Sequence, residues 1–222
     1  MNADDSDEML AAAYALEGPD ANRSLYARWA DTYESGFVVD SRYVYHEQVV
    51  AVFADAGLTD VGAGGVVVDV GCGTGLAGVA LRRASTFGID GIDISPEMLH
   101  RASLKQHEGT AVYRSLIAAD LTAPLAIGTG TYAGVVSVGT FTHGHVGPAS
   151  LDEVVRIVRP GGWAAIGINA AHFAAVDFAE AFERLTLSGR IVDLGLTDVP
   201  IYVGADMSDP DQFAHVAVFR VG

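Results

Sequence analysis

Hydrophobic positions along this chain change their period several times, and each change marks an element. Short β-branched or nearly all-apolar runs alternate with stretches whose apolar residues recur every three or four positions. The predicted strands are VVVDV (66–70), FGIDGIDIS (87–95), AVYRSLIAAD (111–120), YAGVVSVGTF (132–141) and WAAIGINA (163–170). Between them lie the predicted helices LAGVALRRA (76–84), PEMLHRASLKQH (96–107) and SLDEVVRIVR (150–159), the last stopped by Pro-Gly-Gly. Ser95 is the expected N-cap of the second of these, with Pro96 at its first position. A further amphipathic helix, HFAAVDFAEAFERLTLSG (172–189), ends at glycine. Two last strand candidates, RIVDLGLTDVPIYV (190–203) and FAHVAVFRV (213–221), have no helix between them and are expected to pair antiparallel. The chain before them, from Glu8 to about Gly57, reads mostly as helix, broken at Gly18-Pro19 and around Gly36. It carries Tyr26, Trp29 and Tyr33 at helical spacing.

Alternating strands and helices predict an α/β fold with a Rossmann-like, doubly wound, seven-stranded sheet. The sheet is mostly parallel, with an antiparallel C-terminal strand and helices on both faces. The expected organisation is one domain over 1–222, of which 1–57 is a helical segment covering the ligand site. In such a sheet the ligand sits at the carboxyl ends of the strands, near the switch in strand order.

Charge narrows the partners. The chain has 28 acidic and 13 basic residues and a formal net charge of −15. A nucleic-acid backbone needs a Lys/Arg surface to displace its counterions, so nucleic acid is not expected, and an anionic membrane is disfavoured for the same reason. The single cysteine, Cys72, excludes an internal disulfide and a multi-cysteine zinc site, and no metal site is expected. The start, MNADDSDEML, has neither a basic nor an apolar leader segment, which makes the cytoplasm the expected location.

The candidate chemistry begins where the first strand enters a glycine turn, VVVDVGCGTG (66–75). Two frames overlap there. Gly73, Gly75 and Gly78 spell G-x-G-x-x-G with Asp93 about 20 residues on, the dinucleotide fingerprint. Asp69, Gly71, Gly73 and Gly75 spell D-x-G-x-G-x-G instead. A dinucleotide brings a pyrophosphate, for which a nearby carboxylate is repulsive. A ligand bringing an ammonium group would want that carboxylate, and S-adenosylmethionine is one. VVVDVGCGTG followed by GIDISPEML closely resembles the class I S-adenosylmethionine-dependent methyltransferases, over the chain from about Leu25 to its end. YARWADTYE (26–34), EVVRIVRPGGW and the THGHV loop make it most similar to the Williams-Beuren-region methyltransferase-like group.

The resemblance implies a role for each motif residue. Asp69 and the backbone of Gly71, Cys72, Gly73 and Gly75 would hold the methionine end of S-adenosylmethionine. Asp93 would accept both ribose hydroxyls, as two acceptor oxygens suit a vicinal diol. Ile94 and Met98 would pack on the adenine, and Asp120, with Leu121 beside it, would accept from the exocyclic amine. Ser137 to Thr140 would line the methyl-transfer side, and Tyr26 and Tyr33 would close over the cofactor. The chain departs from the pattern at Tyr132-Ala133, where an aromatic-acid pair is usual. The expected function is therefore methyl transfer to the O, N, S or activated C of a small-molecule acceptor, leaving S-adenosylhomocysteine, by a monomer or homodimer. Three rivals stand beside it: the same cofactor used without methyl transfer, as in a cyclase; a nicotinamide oxidoreductase; and a binding protein that keeps the fold.

His143 and His145, in FTHGHVGP after the fourth strand, are the candidate catalytic bases. A neutral imidazole there could take a proton from an attacking hydroxyl, thiol or amine. His172 could also face the acceptor. The acceptor pocket is expected among the N-terminal helices, this loop and the stretch after INAAHF.

Overall fold

A computed structural model describes residue 9 and residues 11–13, 18–57, 60–62 and 64–222. The acidic stretch at 1–8 lies outside the described residues, and so does the expected helix start at Glu8.

The β-branched run Val66–Val70 forms β1, an interior strand of a seven-stranded sheet. The other strands of that sheet are β2 (Gly88–Asp93), β5 (Ser115–Ala118), β6 (Tyr132–Phe141), β7 (Val158–Asn169), β8 (Ile191–Pro200) and β9 (Phe213–Val221). Their order is β5-β2-β1-β6-β7-β9-β8. β1 pairs parallel with β2 on one side and β6 on the other, so the strand order reverses there and opens a crevice at the carboxyl ends. β9 is antiparallel to both neighbours, β7 and β8. The expected fold is thus present, strand for strand.

Alternation along the strands divides the core in two. Val68 and Val70 of β1, Val135 of β6 and Ile166 of β7 join one apolar cluster. It packs against α5 (Leu151–Ile157), α6 (Ala170–Ala175) and α7 (Phe178–Leu187), through residues such as Val154, Phe173 and Phe178. Val67, Val136 and Ala165 join the other. That one faces α2 (Tyr45–Gly57), α3 (Leu76–Ala84) and α4 (Pro96–Ser103), through Phe53, Leu81 and Leu99. A smaller third cluster gathers Ala13, Leu25, Trp29 and Phe37 around α1 (Pro19–Trp29). The Arg42–Val44 stretch binds it to the C-terminal hairpin: Val44 N–H donates to Ile201 O (2.9 Å) and Val203 N–H to Arg42 O (3.0 Å).

Several expected boundaries move, each for a local reason. The helix expected over 96–107 ends at Ser103, because Glu108 and Gly109 (φ 49° and 76°) turn a hairpin that pairs β3 (Gln106–His107) with β4 (Thr110–Ala111). The third sheet strand is therefore only Ser115–Ala118. The helix over 150–159 ends at Ile157, since Val158 already pairs with Tyr132; Arg159 to Gly162 bulge out before pairing resumes at Trp163. Pro-Gly-Gly is a bulge in a strand and stops no helix. The fifth strand ends at Asn169, whose side chain caps α6 by accepting from His172 N–H (3.0 Å). The long helix over 172–189 breaks at Val176, which is extended. Gly36 sits inside a π-helical turn (Glu34–Val38) and breaks nothing; the chain turns instead at Arg42, with φ 55°.

Asp69 is the fully buried acid of β1, and it follows the same alternation. Its side chain points to the α3 face with Val67, where Tyr113 donates to Oδ2 at 2.6 Å. Oδ1 has no hydrogen-bond partner. Burial pushes the Asp69 carboxyl up to about 7, and the Tyr113 hydrogen bond opposes that rise. Gly78 of α3 is the gap through which the phenol passes, since a Cβ there would lie inside the Tyr113 ring. Gly to Ala inside a helix ordinarily stabilises by about 1 kcal/mol. At Gly78 the sign is expected to reverse: Gly78→Ala should lower unfolding free energy by roughly 1–3 kcal/mol in urea titration, because it drives Tyr113 off a buried carboxylate. Any stabilisation would show that the phenol is not held there.

Candidate functional site

The crevice between β1 and β6 opens into a cavity of about 1060 Å³, its open mouth included. The carboxyl ends of β1, β2, β5 and β6 form its floor, and α1 and the segment after it form one wall. Glycines let the chain turn after β1 and within β6. Gly71 and Gly73 hold φ of 70° and 52°. A Cβ on Gly71 would overlap the Thr140 hydroxyl, whereas the Cβ position of Gly73 meets only open space. β6 loses register between Ser137 and Phe141, and Gly139 (φ 71°) turns Val138, Gly139 and Thr140 toward the cavity.

Asp93, the last residue of β2, lines the cavity. Its Oδ2 accepts from Gly73 N–H (2.8 Å) and its Oδ1 from Ser95 N–H (2.9 Å). Each oxygen keeps a second lone pair for a ligand hydroxyl. Burial raises the Asp93 carboxyl above its ordinary range, and these amide bonds limit the rise. Ser95 caps α4 as expected, accepting from Met98 N–H at 3.3 Å, and so sets Met98 and Ile94 in the wall. Asp120 binds Thr122 through Oδ1 alone, at 2.8 Å to the amide and 2.7 Å to the hydroxyl, with Leu121 beside it in the lining. Cys72 also lines the cavity, and burial holds its thiol well above the usual range, with Asp93 and Asp69 adding to the rise. It is an un-ionised filler of space.

Three of the expected residues do not line the cavity. The Asp69 side chain lies behind the glycine turn, bound to Tyr113, and does not line the cavity, because strand alternation turns it to the α3 face. Ser137 is fully buried and its hydroxyl donates to Val70 O (2.8 Å), tying β6 to the end of β1; the lining falls to Val138, Gly139 and Thr140. Gly75 does not line the cavity; it takes φ 96° as the N-cap of α3.

The two histidines separate. His143 faces away from the cavity: its ring packs on His172 (centroids 5.1 Å apart) and its Nε2 lies 3.9 Å from Asp211 Oδ1. His172, on α6, donates from Nε2 to Val146 O (3.2 Å) and does not line the cavity either. His145 turns inward. Its Nδ1 lies 2.6 Å from His143 O and its Nε2 2.7 Å from Tyr26 Oη. A carbonyl can only accept, so Nδ1 carries the proton and Nε2 accepts from the phenol. Burial lowers the His145 pKa, as does nearby His172, while the bond to His143 O works the other way.

Among the lining residues that escaped the sequence reading are Asn22, Thr74, His46 and Tyr43. Asn22 sits one turn before Tyr26 on α1, and that i, i+4 spacing was its one available signal. Its amide nitrogen donates to Gly144 O (2.9 Å), while its Oδ1 is buried without a partner. Thr74 Oγ1 and His46 Nδ1 are likewise buried and unpartnered, and Tyr43, stacked on His46, completes the wall. A second cavity, about 510 Å³ with its mouth, adjoins the first and shares Tyr26, Tyr33, Tyr43, Gly139 and His145 with it.

This lining accepts one of the two candidate cofactors. It contains Asp93 and Asp120 and neither lysine nor arginine. A pyrophosphate would face carboxylates with no cation, whereas a sulfonium nucleoside with an ammonium group meets acceptors and an open glycine backbone. The residues present therefore fit S-adenosylmethionine. Among the described residues, no cluster of His, Cys, Asp and Glu could hold a metal ion, and no helix is long and apolar enough to cross a membrane.

Comparison with known proteins agrees. Residues 67–162 match a methyltransferase domain family. The chain belongs to the class I S-adenosylmethionine-dependent methyltransferases, with S-adenosylmethionine as the cofactor. It is 31% identical over 163 residues to human methyltransferase-like protein 27, an alignment covering 70% of this chain and 62% of that protein's length. Magnesium protoporphyrin IX methyltransferase of Synechocystis PCC 6803, solved with bound S-adenosylmethionine, superposes with a TM-score of 0.62 at 20% identity, over 93% of this chain and 98% of its own. The [4+2]-cyclase SpnF superposes with a TM-score of 0.68 at 15% identity, over 93% and 98%. At those identities the two structures show the fold alone.

The geometry assigns unequal weight to the two strand-end acids. Asp93→Ala is expected to weaken S-adenosylhomocysteine binding on the order of 30-fold, through loss of two charge-assisted acceptors. Asp69→Asn, which still accepts from Tyr113, should change it less than about threefold. Isothermal titration of both variants checks this, and the reverse ranking would refute the placement of Asp69.

Proposed function

We propose that the protein transfers a methyl group from S-adenosylmethionine to an oxygen, nitrogen, sulfur or activated carbon of a small-molecule acceptor, with His145 as the base. The observation that carries this reading is the His145–Tyr26 pair, seated in the wall common to the two cavities. Gly71, Gly73, Asp93, Ile94, Met98 and Asp120 would hold the cofactor, with Tyr26 and Tyr33 closing over it. When bound, it supplies a methyl group made electrophilic by its sulfonium.

The chain's own contribution is position and a proton site. Tyr26 Oη occupies the lone pair of His145 Nε2, so an acceptor hydroxyl, thiol or amine either displaces that phenol or passes its proton through it. The bond from Nδ1 to His143 O keeps the ring in the tautomer that leaves Nε2 basic. Residues 19–57 supply Asn22, Tyr26, Tyr33, Tyr43 and His46 to the cavity wall, which supports reading the helical N-terminal segment as the cover of the site. A net charge of −15 favours a small molecule over nucleic acid or an anionic membrane as the partner, for a monomer or homodimer in the cytoplasm.

The test is turnover of methyl-labelled cofactor over a panel of small acceptors. His145→Gln should reduce kcat/KM by about 10²–10⁴-fold while leaving S-adenosylhomocysteine affinity in place. The base acts when neutral and its pKa lies below 6.5, so the wild-type rate should be level near neutrality and fall as pH drops below that value. Labelled methyl retained on the cofactor despite acceptor consumption would favour the cyclase-like reading. Full activity of His145→Gln would remove the base.

A further inference from the structure

The second cavity has a lining of a different kind from the first. Apart from His145 it contains no titratable acid or base other than phenols: among its described lining residues there is no Asp, Glu, Lys or Arg. Its walls are rings, with Trp29, Tyr33 and Phe37 packed edge-on or tilted at centroid distances of 5.0–5.5 Å, and Tyr202 meeting Phe37 at 6.4 Å. Two nitrogen donors in this lining have no hydrogen-bond partner: Trp29 Nε1 and Asn169 Nδ2. Both residues are almost wholly buried, at 1% and 2% exposure. A buried donor left unmade costs about 1–3 kcal/mol, and a ligand oxygen would relieve it.

Building on the methyl-transfer reading above, we propose that this ring-walled chamber is the acceptor site, and that its ligand is a small uncharged phenol or ring-bearing alcohol carrying a second oxygen that only accepts hydrogen bonds. Each property follows from the lining. A carboxylate or phosphate would be buried without a cation in a strongly acidic protein. Aromatic faces attract cations, but two unpartnered N–H donors among the lining residues and no carboxylate oppose one here. Flat apolar walls favour a ring, and the unpartnered donors favour a carbonyl or ether oxygen. The reacting hydroxyl then lies at the His145 end, where the two cavities meet. Its proton passes to His145 Nε2, its oxygen forms the new bond to the methyl carbon, and the sulfur–methyl bond breaks with its electron pair kept on sulfur.

Three compounds that share a phenol ring and differ only in charge test this: 4-hydroxyacetophenone (uncharged), 4-hydroxybenzoate (anionic) and tyramine (cationic). Each is titrated calorimetrically into the whole protein saturated with S-adenosylhomocysteine, whose own binding is measured first. We expect saturable binding of 4-hydroxyacetophenone, at least tenfold tighter than either charged analogue. Trp29→Phe, which keeps a ring but loses the donor, should weaken it about tenfold. Ala13→Phe, which fills the chamber from a position outside the large cavity, should abolish it, with S-adenosylhomocysteine affinity unchanged in both variants. Equal or tighter binding of a charged analogue overturns the ligand class, and binding indifferent to both substitutions overturns the location. S-adenosylhomocysteine binding without any phenol binding sinks this inference alone, whereas absence of S-adenosylhomocysteine binding sinks the methyltransferase reading beneath it.

Discussion

The site depends on a pair of hydrogen bonds at the end of β2, where the Asp93 carboxylate accepts from Gly73 N–H and Ser95 N–H. One bond reaches across to the turn after β1 and holds the glycines in left-handed backbone. The other folds the chain into α4 and brings Met98 and Ile94 to the wall. A single acid thereby fixes two loops against each other and still presents lone pairs to a ligand. Burial raises the pKa of this carboxylate, and those fixed amides, with that of Ile94, oppose the rise. The same geometry that shapes the cavity thus keeps two acceptor oxygens at its floor, which suit the vicinal diol of a nucleoside.

The rest of the crevice is a consequence of where parallel strands stop. Ser137 and Thr140 both donate to Val70 O, so the end of β1 is satisfied by β6 and closed to ligand on that side. The backbone can then open only at Gly71 to Gly73. Beyond β6, the loop carrying His145 is anchored by Asn22 from α1, through Gly144 O. Cofactor floor, candidate base and N-terminal wall are therefore one connected set of contacts, and the two cavities meet where that set is richest in rings.

The sequence reading of the fold held at the level of elements and failed at their ends. Seven strands and their parallel or antiparallel sense follow from period and order in the chain. The ends of α4, α5 and the 172–189 helix do not: α4 gives way to the hairpin turned at Glu108-Gly109, α5 stops where Val158 pairs with the distant Tyr132, and the last helix breaks at the extended Val176. At the site, Asp93, Ile94, Met98 and Asp120 were legible as lining residues because the strand-end motifs GIDISPEML and AADL resemble those of the family. Asn22 and His46 were not, since nothing near either residue marks it as facing a ligand.

Asp69 and Ser137 show where the division falls. The sequence by itself determined that an acid stands four residues into β1 and that a hydroxyl stands in β6, both near the carboxyl edge. Only tertiary structure decided that one turns to Tyr113 and the other to Val70 O, because a strand residue has two faces and the neighbours that fill them come from elsewhere in the chain. His143 and His145 make the same point two residues apart. Their spacing could have placed either toward the cavity, and the hydrogen bond from Tyr26, 119 residues before His145 in the chain, is what distinguishes them.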